Sequence, residues 1–315
     1  MIESSAYHAP ALLEEVRSLI PHTAGGVYLD GTLGGGGHFR AMAGKLDSTA
    51  TLIGIDRDKE AIEWNLAHPP ASRARIIIEQ GRFSMFDRTL QKHGIPQLNG
   101  ILLDLGVSSH QIDSAGRGFS YLHEGDLDMR MDPDAGIPAS AFIRTATESE
   151  LAKVLRDYGE VDGAERIAGA IKAEAMRHPI VTSIDLREAV SKALSGNLSI
   201  KLLAKIFQAL RIAVNDELGE LKRFLGKVLD FLSPGGRLAV ISYHSLEDRM
   251  VKEYMREHER ICICPPEAPR CTCSRDPLFK RITKKAIKAS EQEIAMNRRS
   301  RSARLRVVER TAATR

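Results

Sequence analysis

Four short apolar runs alternate with helical patterns across residues 1–105, and this alternation leaves few folds open to the chain. Val27–Asp30 ends at a glycine loop, and Thr51–Asp56 at a charged turn. Arg75–Glu79 is followed by Gly81, and Gly100–Asp104 by Leu105 and Gly106. Each run is apolar on both faces and bounded by turn residues, the pattern of a strand buried in a parallel sheet. Asp58–Ala67, after the second run, carries helical signals. Strands alternating with helices predict a doubly wound, Rossmann-like α/β sheet.

From about Leu151 the pattern becomes helical. Ala164–Arg177 is rich in Ala, Glu and Ile. Leu203, Phe207, Leu210, Val214, Leu218, Leu221, Leu225 and Val228 recur at steps of three or four, which predicts one long amphipathic helix. Ser233-Pro234-Gly235-Gly236 should end it, and Arg237–Ser242 reads as another buried strand. The expected organisation is a discontinuous sheet domain, 1–112 and 233–315, interrupted by a helical insertion domain, 113–232. With 315 residues and 43% hydrophobic content, the chain can bury cores of that size. No run approaches the roughly 20 apolar residues that cross a bilayer. Met1–Ser5 lacks the character of a signal peptide. A soluble, cytoplasmic protein with no membrane partner is expected.

The chemistry centres on Asp30-Gly31-Thr32-Leu33-Gly34-Gly35-Gly36-Gly37-His38, where the first strand meets the first helix. Glycines there permit a sharp turn and close approach of a ligand. A dinucleotide site needs the same, and a bare connecting turn would be the plainer reading, but four consecutive glycines are entropically costly. Asp30 discriminates. A carboxylate there would repel a pyrophosphate, yet it can accept hydrogen bonds from an ammonium, which S-adenosylmethionine carries beside its sulfonium. This reading gives Asp30 and Gly34 to the cofactor and speaks against a nicotinamide dehydrogenase. Asp56 ends the second strand, where an acidic residue can bind both ribose hydroxyls or cap the next helix. Phe83 could wall one face of an adenine or join the core. Asp104 ends the fourth strand at the edge where ligands of open α/β sheets gather.

Charge is unevenly distributed. From Arg275 to Arg315 there are 13 Lys/Arg against 4 Asp/Glu, on a chain whose net charge is only +4. Such an end suits a polyanion or simply a solvated tail. Arg298, Arg299, Arg301, Arg304 and Arg306 are candidate phosphate contacts, although alternation in Arg304–Val307 also suits an edge strand. All four cysteines, Cys262, Cys264, Cys271 and Cys273, fall within twelve residues. They could hold a tetrahedral zinc or remain thiols in a proline-rich loop, and no metal is assigned.

Collinear motifs then carry a resemblance over nearly the whole chain. They are Asp30–His38, Gly100–Ser109, Arg117–Ser120, Leu127-Asp-Met-Arg-Met-Asp132, Phe207–Leu218, Pro234–Arg249 and Arg299–Arg306. Together they resemble the MraW/RsmH family of bacterial 16S ribosomal RNA cytosine-N4 methyltransferases. The resemblance implies a methyltransferase sheet with a helical insertion. It implies S-adenosylmethionine as cofactor, and as target the N4 amine of a decoding-centre cytosine in 16S rRNA, within the small subunit. Carried over by position, it gives cofactor contacts to Gly36, Gly37, His38, Asp56, Phe83, Asp104 and Gln111. The chain departs from the family pattern at His110, at Leu202–Ile206 and at Asn297–Arg299.

The N4 amine is a weak nucleophile because its lone pair is delocalised into the ring. In-line positioning is therefore the main lever, with an acceptor on the amine proton as the second. Asp104 is placed for that role, in rivalry with a role in holding cofactor. No cysteine neighbours these loops, which argues against thiolate attack on cytosine C5. His244 should lie at the active edge as a second catalytic candidate, while Ser245 with Asp248 fits a capping box. Arg117 and Arg130 either reach RNA or join salt-bridged turns. A DNA methyltransferase would commonly place Pro-Pro-aromatic after Asp104, whereas Leu105-Gly106-Val107 stands here, so DNA is not expected as a partner. A non-catalytic RNA-binding protein with a nucleoside pocket is the remaining rival.

Overall fold

The computed structural model describes residues 10–122, 124–194, 198–260, 264 and 276–313. The chain divides into two compact units, one of Met1–Gly106 with Gly219–Arg315 and one of Val107–Leu218.

In chain order the first unit opens with α1 (Leu13–Leu19), β1 (Val27–Asp30), α2 (Gly37–Ala43), β2 (Thr51–Asp56) and α3 (Lys59–Ala67). β3 (Arg75–Gln80), α4 (Phe86–Lys92) and β4 (Leu98–Asp104) follow. The second unit carries α5 (Ser109–Asp113), α6 (Ala139–Thr145), α7 (Glu148–Gly159), α8 (Ala164–Arg177), α9 (Ser183–Ala193) and α10 (Ile200–Asn215). α11 (Glu217–Phe231) leads back to β5 (Leu232–Ser242), α12 (Ser245–Glu259), β6 (Phe279–Arg281), β7 (Ile287–Lys288), α13 (Glu291–Met296) and β8 (Arg304–Arg310).

The described strands form one sheet in the order β3-β2-β1-β4-β5-β8-β6, with β7 also on β8. β3 through β5 are parallel, so their carboxyl ends share one edge. β8 runs antiparallel to β5 and to β6 and β7. The chain builds leftward from β1 to β3 and then returns to β4 on the other side of β1. The β1–β4 junction is therefore a topological switch point, where a crevice opens outside the strand ends. Alternate strand residues serve two cores. Leu29, Ile53, Ile101 and Leu103 pack with Phe86, Phe224 and Val251 on one face. Tyr28, Leu52 and Leu102 pack with Phe39 and Met42 on the other. The second unit closes on its own core, in which Leu151, Ile167, Leu186 and Phe207 are buried together. Capping boxes start three of its helices, at Ser108, Thr147 and Thr182.

The structure corrects four expectations. The long helix of the 203–228 stripe is two helices, because Asp216 adopts φ 50° and turns the chain between α10 and α11. The boundary of the insertion moves with it: Leu221, Phe224, Leu225 and Val228 pack in the sheet's core, so most of α11 belongs to the sheet unit. The Ser-Pro-Gly-Gly segment is absorbed into β5 as a bulge, with Leu98 opposite Leu232 and Gly100 opposite Arg237. Finally, β8 is not an edge strand, since it has strands on both sides. Among the described residues no helix is long and apolar enough to cross a membrane.

Candidate active site

Asp30 and Asp104 end the two strands that flank the switch point, and Asp56 ends the strand beyond β1. The segment 31–36 between β1 and α2 is held by backbone bonds to the neighbouring strands and by the side chains of Asp30, Asp56, Asn65 and Arg40. Gly31 N–H donates to the Leu102 carbonyl, and Leu33 N–H to that of Ile55 (both 3.0 Å). Gly34 N–H donates to Asp56 Oδ2 at 2.7 Å. Asn65 Nδ2 donates to the Gly34 carbonyl (2.8 Å), and Arg40 Nη1 to that of Gly35 (2.6 Å). Gly34 and Gly36 have φ of 48° and 76°, the left-handed region that suits glycine. Gly31 matters for space: a Cβ there would lie 2.6 Å from Leu103 Cδ2 and 3.2 Å from Phe83 Cβ.

Asp30 is 1% exposed, and its Oδ1 accepts the Thr32 N–H at 3.1 Å. Burial pushes its carboxyl up to about 7, with the charges of Asp104 and Asp56 adding to the effect and His38 and the Thr32 N–H opposing it. Burial likewise raises Asp56 to about 6 against the two N–H bonds it accepts, from Asp58 and Gly34. Asp56 is not the helix cap; Asp58 is, accepting from Glu60 N–H. Asp56 thus shapes the loop and faces the same edge as Asp30. A crevice that holds two carboxyls at the cost of desolvation favours a cation.

His38, on the first turn of α2, is buried, neither ring nitrogen has a hydrogen-bond partner among the described residues, and its Nε2 lies 3.6 Å from Asp104 Oδ2. Buried nitrogens of this kind are ordinarily satisfied by something. They stand at the crevice beside the glycine loop, where a ligand would complete them. Asp104 is fixed from two sides. Its N–H donates to Thr32 Oγ1 at 2.6 Å, and its Oδ1 accepts from the Tyr243 hydroxyl at 2.9 Å. Burial and the adjoining Asp104 carboxylate push the Tyr243 phenol well above its ordinary value, so it stays a neutral donor. Phe83 starts a short helical turn and meets Phe224 edge-on, with ring centroids 5.7 Å apart. It remains partly exposed beside Gly31.

His244 is placed differently from expectation. Its Nδ1 accepts the Glu247 N–H (3.4 Å), the Glu247 carboxylate accepts the N–H groups of Tyr243 and His244, and His244 Nε2 lies 3.0 Å from Glu247 Oε1. The capping box that opens α12 is therefore His244–Glu247, one residue before the expected Ser245–Asp248. The ring is engaged with the helix start, and its neighbour Tyr243 is the residue that touches Asp104.

The candidate RNA contacts divide. In the second unit, Arg130 is bidentate on Asp128 (2.8 and 2.7 Å), the salt-bridged turn that was one of the two arrangements expected of it. Arg117 donates to the carbonyls of Arg130 and Met131, so it too is engaged in building that turn. Gln111, in the same unit, closes the capping box of α5 by accepting the Ser108 N–H. Toward the chain end, Arg299 and Arg301 lie on a short helical turn, Arg301 exposed and Arg299 half-buried. Arg304 Nη1 contacts Asp248 at 3.3 Å, and Arg306 is bidentate on the same carboxylate. Of the four cysteines only Cys264 falls among the described residues, so a four-thiol cluster lies outside them.

Tyr243, Thr32, Asn65 and Arg40 were not expected from the sequence. A tyrosine directly after a buried strand at the active edge was the one signal that could have singled out Tyr243.

The profile of the MraW methylase family matches residues 5–311. Similar chains include the ribosomal RNA small subunit methyltransferase H of Geotalea uraniireducens, 44% identical over 98% of this chain and 99% of that one. Those of Syntrophotalea carbinolica (44%) and Heliobacterium modesticaldum (42%) each span 96% of this chain and 98% of theirs. A solved rRNA methylase from Streptococcus thermophilus covers 95% of this chain and 93% of its own at 9% identity and TM-score 0.39.

Proposed function

The chain belongs to the MraW methylase family, and from that premise we propose that it methylates the N4 amine of a decoding-centre cytosine in 16S rRNA of the small ribosomal subunit. Relatives named ribosomal RNA small subunit methyltransferase H, matched end to end, support the RNA class. The observation that carries the chemistry is the acidic crevice at the β1–β4 switch point. Asp104 is held there by Tyr243 beside two carboxyls raised by burial and the buried ring of His38, which has no hydrogen-bond partner among the described residues.

S-adenosylmethionine supplies, when bound, an electrophilic methyl group on a sulfonium. Asp30 offers a buried carboxylate to a ligand ammonium, and ion pairing there offsets the desolvation of Asp30. Asp56 retains lone pairs for ribose hydroxyls. Gly34, Gly36 and Gly37 let the ligand approach the backbone, His38 offers a ring nitrogen, and Phe83 offers an aromatic face. Asp104 accepts an amine proton, which localises the nitrogen lone pair as the new bond forms and then removes that proton. Tyr243 keeps the carboxylate turned to the task. Positioning of this kind accounts for up to about 7–11 kcal/mol of a barrier in favourable cases. DNA is not a substrate in this reading, and a small-subunit RNA target implies a cytoplasmic reaction.

The test is transfer of labelled methyl from S-adenosylmethionine to small subunits lacking the mark, to naked 16S RNA and to duplex DNA. Label mapped to cytosine N4 of subunit RNA is the expected outcome. Label on DNA alone, or on cytosine C5, overturns the proposal.

A further inference from the structure

A small concavity opens on the sheet unit between α12 and the strands β6 and β8, lined by Lys252, Met255, Arg256, Arg281, Thr283 and Arg306. Its composition sets it apart: four cations surround one methionine and one threonine. Met255 is 3% exposed and forms an apolar floor. Thr283 is 7% exposed, and its Oγ1 accepts the Val307 N–H at 2.9 Å, which leaves the hydroxyl proton to donate. Arg306 is half-buried and fixed in orientation by Asp248 (2.7 and 3.0 Å). Arg281 is paired with Glu259 at 2.7 Å. Lys252 and Arg256, one helical turn apart on α12, are exposed and have no ion-pair partner among the described residues. Among the described residues two carboxylates therefore pair with these four cations, and Lys252 and Arg256 carry the excess charge.

None of these residues belongs to the crevice of Asp30 and Asp104, and the exposed pair comes from a helix outside the basic chain end. A fixed guanidinium, a buried hydroxyl donor and two exposed cations match the oxygens of a phosphodiester. We infer that this concavity binds a backbone phosphate of the substrate RNA, with Lys252 and Arg256 closing over it. The inference rests on the RNA-methylating reading for the identity of the RNA, and on charge and geometry for the site.

The experiment measures binding of wild type and of K252Q/R256Q to a 16S RNA fragment across a series of salt concentrations. E253Q/E257Q on the same helix serves as control, and binding of S-adenosylmethionine as the check on folding. K252Q/R256Q should weaken RNA binding about tenfold near 0.1 M salt. It should also flatten the plot of log Kd against log salt by about 0.7–0.9 for each phosphate no longer neutralised. Cofactor affinity stays unchanged, and the glutamate variant does not weaken RNA binding. An unchanged affinity and slope overturns the inference, whether or not inorganic phosphate competes at the site. Methyl transfer to the same RNA, measured alongside, separates the failures. Transfer without the charge effect removes this surface alone; the charge effect without transfer removes the methylation reading alone.

Discussion

Asp30 is buried, and its raised value of about 7 has two consequences of opposite sign. For the ligand-free fold, an acid whose value rises on folding binds more protons folded than unfolded, so stability falls as pH rises from about 3.8 through about 7. Asp30→Asn keeps an acceptor for the Thr32 N–H and removes that penalty. It should raise the melting temperature of the ligand-free protein by several degrees at pH 8, by less at pH 5, and by little below about pH 3.8. The same variant should lose at least about tenfold in affinity for S-adenosylmethionine, since a buried charge partner is removed. In the wild type, cofactor affinity should fall as pH drops below 7 and Asp30, then Asp56, takes a proton. Calorimetric titration at pH 5.5 and 8 checks both signs. Tyr243→Phe makes a separate prediction. Losing a hydrogen bond to a charged group costs about 1.5–3 kcal/mol, so kcat should fall about tenfold or more with cofactor affinity unchanged. The acidic limb of the pH–rate profile should move to higher pH, a shift that simple loss of packing would not produce. At this scale the acids of the site were legible in the sequence, because an aspartate that ends a buried strand must face a ligand, a cation or a helix start. Tyr243 was not legible, because its role depends on β5 lying beside β4. His244 was misplaced because the Ser-x-x-Asp pattern drew the box to Ser245, whereas the His244 ring and Glu247 close it one residue earlier.

Helices and strands were read best where their ends are chemically marked. Asp58 caps α3 and glycines end β1, so β1, β2 and α8 match the sequence reading residue for residue. The α10–α11 break was invisible because apolar spacing continues through Asp216, a residue with no glycine signature, held at φ 50°. Left-handed backbone costs a residue with a side chain about 1–2 kcal/mol. Asp216→Gly should therefore be neutral or stabilising, whereas Asp216→Val should lower stability by at least about 1 kcal/mol in urea unfolding. The β5–β8 seam offers a contrasting case. Asp248 holds Arg304 and Arg306 of β8 against the start of α12. Asp248→Ala strands a half-buried guanidinium and should cost about 1–3 kcal/mol. The alternating arginines of β8 looked like an edge strand in sequence because one of their partners lies on a helix some 56 residues away.

For the whole molecule, alternation of strand and helix was enough to specify a doubly wound sheet whose parallel strands end at one edge. The interruption by a helical unit followed from the change in periodicity. Where that unit ends did not follow, because α11 carries the same stripe as α10 yet buries it in a different core. The family match confirms the family that the collinear motifs suggested, and the geometry adds which carboxylate is oriented and by what. The claim on which the account turns is that Asp104 takes the amine proton while other residues hold the cofactor. The decisive measurement compares wild type with Asp104→Asn in single-turnover methyl transfer to small-subunit RNA, with cofactor affinity measured on the same preparations. Transfer should fall by about a hundredfold or more, the scale of general-base catalysis, with cofactor affinity within a few-fold of wild type. Transfer preserved, or affinity falling in step with it, would contradict the account and make Asp104 a cofactor ligand.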